Sequence, residues 1–117
     1  MTATPVVATG LSPNPASGTT TTDGTEQVLA SGTSTPGDYV FALDATNMVD
    51  GDTIELRVYT VLKSAGSYRQ AYFASFSNTQ TDAAKVSICL PSVYGYKATL
   101  KRTAGTDRAY DWAVLAL

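Results

Sequence analysis

From Thr25 onward, apolar and polar residues alternate in short runs broken by turn formers. The runs recur every roughly 8–12 residues, the spacing of an antiparallel sandwich or barrel, and no stretch sustains a helical period. Thr25 to Ala30 is the first run, stopped by Ser31-Gly32 and Pro36-Gly37. Tyr39, Phe41 and Leu43 then alternate with Val40 and Ala42, and the turn-rich stretch Asp44 to Asp52 follows. Thr53 to Leu62 is the clearest strand: Ile54, Leu56, Val58 and Leu62 take one face, Glu55, Arg57 and Tyr59 the other. Ser64-Ala65-Gly66-Ser67 predicts a hairpin turn into a partner strand from Tyr68 to Phe76. Further on, Val86, Ile88 and Leu90 alternate with Lys85, Ser87 and Cys89, and Tyr96, Ala98 and Leu100 with Lys97, Thr99 and Lys101. A last hairpin at Ala104-Gly105-Thr106-Asp107 is expected to return a strand with Tyr110, Trp112 and Val114 inward. About seven strands joined by short connections predict an all-β fold, an antiparallel β-sandwich of jelly-roll or Greek-key type, with a small closed barrel as the alternative.

The first 24 residues break this pattern. Pro5, Pro13 and Pro15 forbid a helix, and Thr19-Thr20-Thr21-Thr22 favours extended backbone. Residues 1–24 are therefore expected to be an extended or flexible N-terminal arm, and 25–117 the sandwich domain. Val6, Val7 and Leu11 are its sizeable apolar side chains, the candidate anchors if the arm orders on a neighbouring subunit.

One predicted strand is apolar on both faces. Along Tyr68 to Phe76, Tyr68, Tyr72, Ala74 and Phe76 face one way, while Ala71 and Phe73 face the other beside Arg69 and Ser75. In a chain of 117 residues, which holds one core, the second apolar face calls for cover from another chain. Tyr59 and Val61, expected on the surface, point the same way, toward an oligomer or lattice.

Composition narrows the chemistry. Charged residues are 15% of the chain against a usual ~25%, and the net charge is −2, which disfavours nucleic acid as a partner. Histidine is absent and Cys89 is the one cysteine, so there is no Ser-His-Asp or Cys-His pair, no histidine metal ligand and no internal disulfide. Cys89, among apolar neighbours, is expected to be a buried or half-buried structural thiol. No apolar run is long enough to span a bilayer and Met1 to Gly10 does not read as a secretion leader, so a cytosol-like site of synthesis is expected.

The stretch 44–52, with Asp44, Asn47, Asp50 and Asp52, holds oxygen ligands that would suit Ca²⁺, but its spacing is not that of an EF-hand, and turn closure by Asp and Asn is the expected role. Glu55 and Asp111 are the carboxylate pair one would try for glycoside hydrolysis, although nothing in the sequence brings them together. Lys97 and Lys101 share a strand face near Tyr94 and Tyr96, with Arg57 and Arg69 on the earlier hairpin. The acidic balance favours protein contact there over nucleic acid. No cofactor or small-molecule ligand is expected.

The run Asn47-Met48-Val49-Asp50-Gly51-Asp52-Thr53-Ile54-Glu55-Leu56-Arg57, then Tyr68-Arg69-Gln70-Ala71-Tyr72, and the aromatic last strand Tyr110 to Leu117 resemble small virion proteins of tailed bacteriophages. The resemblance covers about residues 25 to 117. It implies a capsid decoration (cement) protein on the outside of a phage head, assembled in the host cytoplasm, with the major capsid protein and copies of itself as partners. No residue roles carry over, because such proteins act through whole surfaces. The candidate contacts are Val6, Val7, Leu11, Tyr59, Arg69, Phe73, Lys97 and Lys101. The alternatives are a glycan- or receptor-binding module of a tail or fibre, with Tyr59, Tyr94 and Tyr110 as a stacking platform, or a head-tail connector or tail component.

Overall fold

The computed structural model describes residues 12–32, 37–92 and 94–116, with side chains from Ala16 onward. These residues form nine strands and no helix. One sheet is built from β1 (Ser12–Thr21), β9 (Ala109–Ala116) and β3 (Gly37–Asp44), with the short β6 (Ala84–Val86) and β7 (Leu90–Ser92) both paired to β3. The other runs in the order β2 (Gln27–Gly32), β8 (Tyr96–Ala104), β4 (Thr53–Val61) and β5 (Tyr68–Ser77). Every pairing is antiparallel. The chain thus forms the expected β-sandwich.

Alternation along the strands builds the core. Phe41, Leu43, Tyr110 and Val114 of the first sheet meet Ile54, Leu56, Val58, Ala98 and Leu100 of the second, all of them buried. Burying a side chain of this size contributes about 1.5–3 kcal/mol. Tyr39 and Tyr96 stack across the sheets with ring centroids 4.7 Å apart. Lys85 closes one open side, its ammonium 5.0 Å from the centre of the Phe76 ring.

Several expectations change. Residues 12–21, read as arm, are β1, paired with β9 from Ser12 opposite Ala116 to Thr21 opposite Ala109. Pro13 and Pro15 fall where the register shifts, between Ser12 and Pro15, a place that tolerates a missing amide donor. Gly18 lies over Trp112: a Cβ there would stand 3.1 Å from the indole Cζ2. The indole N–H in turn donates to Thr20 Oγ1 at 3.0 Å. Residues 1–11, with Val6, Val7 and Leu11, lie outside the described residues.

The turn after β8 leads into the opposite sheet, so β8 and β9 are not a hairpin. The run 85–90 is broken in two, with the facing inverted over 86–88 while Leu90 packs on the core as expected. Val86 and Ile88 are exposed, whereas Ser87 is buried, its Oγ accepting from the Phe41 N–H. Cys89, on the same interruption, is exposed. At the far end of β4, Val61 is buried and Leu62 is 74% exposed, the reverse of the expected burial. A bulge on β5, with Val58 opposite Tyr72 but Tyr59 opposite Gln70, rephases β5 and not β4, so Val61, opposite Tyr68, stays on the side of Tyr59. The turn itself then packs on Val61, with Gly66 close to its Cγ1.

Candidate interaction faces

The chain's most buried carboxylate belongs to the fold. Asp52 is 2% exposed and sits where the β3–β4 loop meets the β8–β9 turn. Its Oδ2 accepts from the Arg108 guanidinium at 2.5 Å and the Val49 N–H at 3.0 Å, and its Oδ1 from the Thr106 N–H at 3.1 Å. Burial alone would raise this carboxyl, but the Arg108 and backbone hydrogen bonds together with the guanidinium charge hold it below its ordinary value. Gly105, at φ +87°, is required here twice over, since a Cβ would also collide with the Asp52 carboxylate. Thr22, equally buried, ties the end of β1 to the same corner through the Arg108 N–H, which donates to its Oγ1 at 3.1 Å.

The other carboxylates of the 44–52 stretch also fasten loops. Asp44 Oδ1 accepts the N–H and hydroxyl of Thr46, and those bonds lower its carboxyl. Asp50 Oδ1 accepts the Thr79 N–H at 3.2 Å, and Asn47 donates to the Ala109 carbonyl at 2.7 Å. Asp44 and Asp52 thus close turns as expected, whereas Asp50 and Asn47 tie the loop to distant segments.

The solvent side of the second sheet carries a network across β4, β5 and β8 that reaches the residue before β2. Register places Glu55, Arg57 and Tyr59 on β4 opposite Lys101, Thr99 and Lys97 on β8. Arg57 pairs with Glu55 at 2.9 Å, donates from Nε to Gln70 Oε1 at 3.1 Å, and lies 4.9 Å from the centre of the Phe73 ring. The Lys97 ammonium stands over both Tyr59 and Tyr68, at 4.6 and 4.7 Å. Glu26, just before β2, accepts from the Tyr59 hydroxyl at 2.5 Å and from Thr99 Oγ1 at 2.7 Å. The Tyr59 hydrogen bond is the leading cause that lowers the Glu26 carboxyl. Burial, then that same bond, raises the phenol.

The solvent side of the first sheet differs in kind. Asp44 on β3 stands directly opposite Asp111 on β9, a like-charge cross-strand pair. They border a shallow basin of about 460 Å³ floored by Ala42, Ala84 and Ala113. Thr19 donates to Asp111 at 2.5 Å, and among the described residues neither carboxylate has an ion-pair partner.

Of the residues singled out from sequence, Tyr59, Phe73, Lys97 and Lys101 come together on the second sheet's outer side, and Arg69 is exposed at the start of β5, opposite Thr60. Glu26, Gln70, Tyr68 and Thr99 complete the network and were not among them. Only strand register joins them, and β2 lies some 70 residues from its partner β8. Glu55 and Asp111 sit on different sheets, with Glu55 on the outer side of one and Asp111 on the outer side of the other, so they form no acid–base pair. The tyrosine platform does not assemble either: Tyr110 is 1% exposed, and the Tyr59 ring is covered by Lys97, leaving Tyr94 exposed. Comparison with protein-family models, with curated proteins and with solved structures finds no match to the chain.

Proposed function

We propose that the chain is a non-enzymatic structural protein of a virion. In this reading it is a capsid decoration (cement) protein that sits on the outside of a tailed-phage head and binds the major capsid protein and copies of itself. The observation that carries this is the strand order. With β6 and β7 counted as one interrupted strand, the sheets read β1-β9-β3-β6/7 and β2-β8-β4-β5. Only β4 and β5 are a consecutive pair within one sheet, as in a jelly roll, an architecture common among viral capsid proteins. The phrases at 47–57, 68–72 and 110–117 that resemble phage virion proteins support the same reading. So does the fate of the charged groups: the buried ones fasten loops and the outer ones form broad faces, an arrangement suited to surface contact.

A decoration protein stabilises a shell by burying area across joints between capsid subunits. Heads assembled without the chain are expected to release their contents at lower temperature than heads carrying it, and added purified protein is expected to restore the difference. A low-resolution image of particles carrying a labelled chain should show density on the capsid exterior. Label confined to the tail, or heads equally heat-resistant without the protein, would overturn the proposal.

A further inference from the structure

We infer that the edge of β5, unpaired among the described residues, is a self-association site, where a second copy of this chain pairs antiparallel with the first and joins the two four-stranded sheets into one. The inference deepens the copy-to-copy half of the proposed function and does not depend on the virion half.

The sheet edges are unequally protected. The β3 side of the first sheet ends in two three-residue strands, interrupted at 87–89 and carrying Lys85 and Pro91. At its other edge, β1 contains two prolines and a register shift. In the second sheet, β2 has six residues and a shift between Val28 and Ala30. β5 has ten residues with no proline, no glycine and no lysine, and its one charge is Arg69. Such an edge leaves backbone donors and acceptors ready to pair with another strand.

The sequence of β5 selects a second copy as that strand. Past its bulge at Ala71, the run Tyr72–Ser77 is regular, with Tyr72, Ala74 and Phe76 on the core-facing side and half-buried, and Phe73, 45% exposed, on the other. Antiparallel partners must match faces, so the residue numbers of each opposed pair sum to an even number. Placing the two-fold axis at Ala74 sets Tyr72 opposite Phe76 of the second copy, twice, and Phe73 opposite Ser75. Two aromatic cross-strand pairs then flank two small residues at the axis, the combination that favours pairing. Shifting the axis to Phe73 drives the pairing into the bulge, and shifting it to Ser75 runs Tyr72 into Asn78, which has φ +68° and leaves the strand. No charge falls within the paired run, so no like charges meet, and Arg69 lies beyond it at both ends.

Sedimentation equilibrium of the isolated full chain is expected to show a reversible monomer–dimer equilibrium. In a Cys89→Ser background, which removes the exposed native thiol, single cysteines at Phe73, Ala74 and Ser75 read the register. Directly opposed Cα atoms lie about 4.5–5.5 Å apart, within disulfide reach, so mild oxidation should link the Ala74→Cys variant and neither of the others. If Ala74→Cys does not fold by circular dichroism, the Phe73→Cys/Ser75→Cys double variant places thiols opposite one another in the same register and should link instead. A chain that stays monomeric at all concentrations, or disulfide dimers from Phe73→Cys or Ser75→Cys alone, overturns the inference. A monomer that still coats heads overturns it while leaving the decoration reading intact, and a β5-linked dimer that ignores heads does the reverse.

Discussion

Asp52 and Glu26 each accept several hydrogen bonds near a basic side chain, yet they stand in opposite relations to the fold. Asp52 is buried and joins the ends of three strands through two loops, with no water to replace Arg108 or the backbone donors. Glu26 is exposed on the outer side of the second sheet, where water can take over from Tyr59 and Thr99. Similar chemistry therefore serves two ends. In the closed corner it fixes the topology, and on the open face it orders a surface without the fold depending on it.

The most severe break in that contrast is Asp52→Ala, which strands the Arg108 guanidinium and two amide donors. It should cost about 3 kcal/mol in denaturant unfolding, whereas Glu26→Ala should cost about 1 kcal/mol or less. A loss of similar size at both positions would erase the distinction.

Acid sharpens it next. Because the folded-state Asp52 carboxyl is held below its ordinary value, its contribution is complete above the unfolded value near pH 4 and disappears as pH falls through the lower folded value. Melting temperature should therefore fall with pH below about 4 in the parent chain, and fall less steeply in Asp52→Ala. Glu26→Gln should keep most of the parent slope, since hydrogen bonding also lowers Glu26 but water competes for that bond.

Smaller still is Tyr59→Phe, which removes one hydrogen bond and leaves the ring under Lys97. It should cost about 0.5–1 kcal/mol by the same denaturant measurement while leaving the acid slope of Asp52 in place. Smallest is Asp111→Asn, which relieves the facing carboxylates of the first sheet and should raise stability by roughly a few tenths of a kcal/mol at low salt, fading at high salt. A clear loss would show that the Thr19 bond outweighs the repulsion.

These effects divide along the line between what was legible in the sequence and what was not. The inward faces of β4, β8 and β9 follow from period-two alternation, which is local, and the hairpin at 64–67 follows from turn residues. β1 was hidden because its residues are small and polar, and it is a strand only because β9, some 90 residues away, offers it an edge and Trp112 a floor. Val61 keeps its outward facing but is buried because the 64–67 turn packs on it, and a contact made by the turn leaves no mark on the alternation of β4 itself. Ser87 inverts the facing of its run by capping the Phe41 amide, a demand set by a neighbouring strand. The candidate contacts Tyr59, Lys97 and Phe73 were visible as misplaced aromatics and cations, whereas their assembly with Glu26 required register, which only the folded chain supplies.

Trp112, the chain's single tryptophan, lies beneath Gly18 and is bonded to Thr20, both on β1. The molecule thus carries a built-in optical gauge for its outermost strand. Whenever β1 lifts, the indole loses its cover and its hydrogen bond together, and its emission should shift to the red before the rest of the sandwich melts. Whether a neighbour holds that first strand down is then a question a fluorimeter can answer.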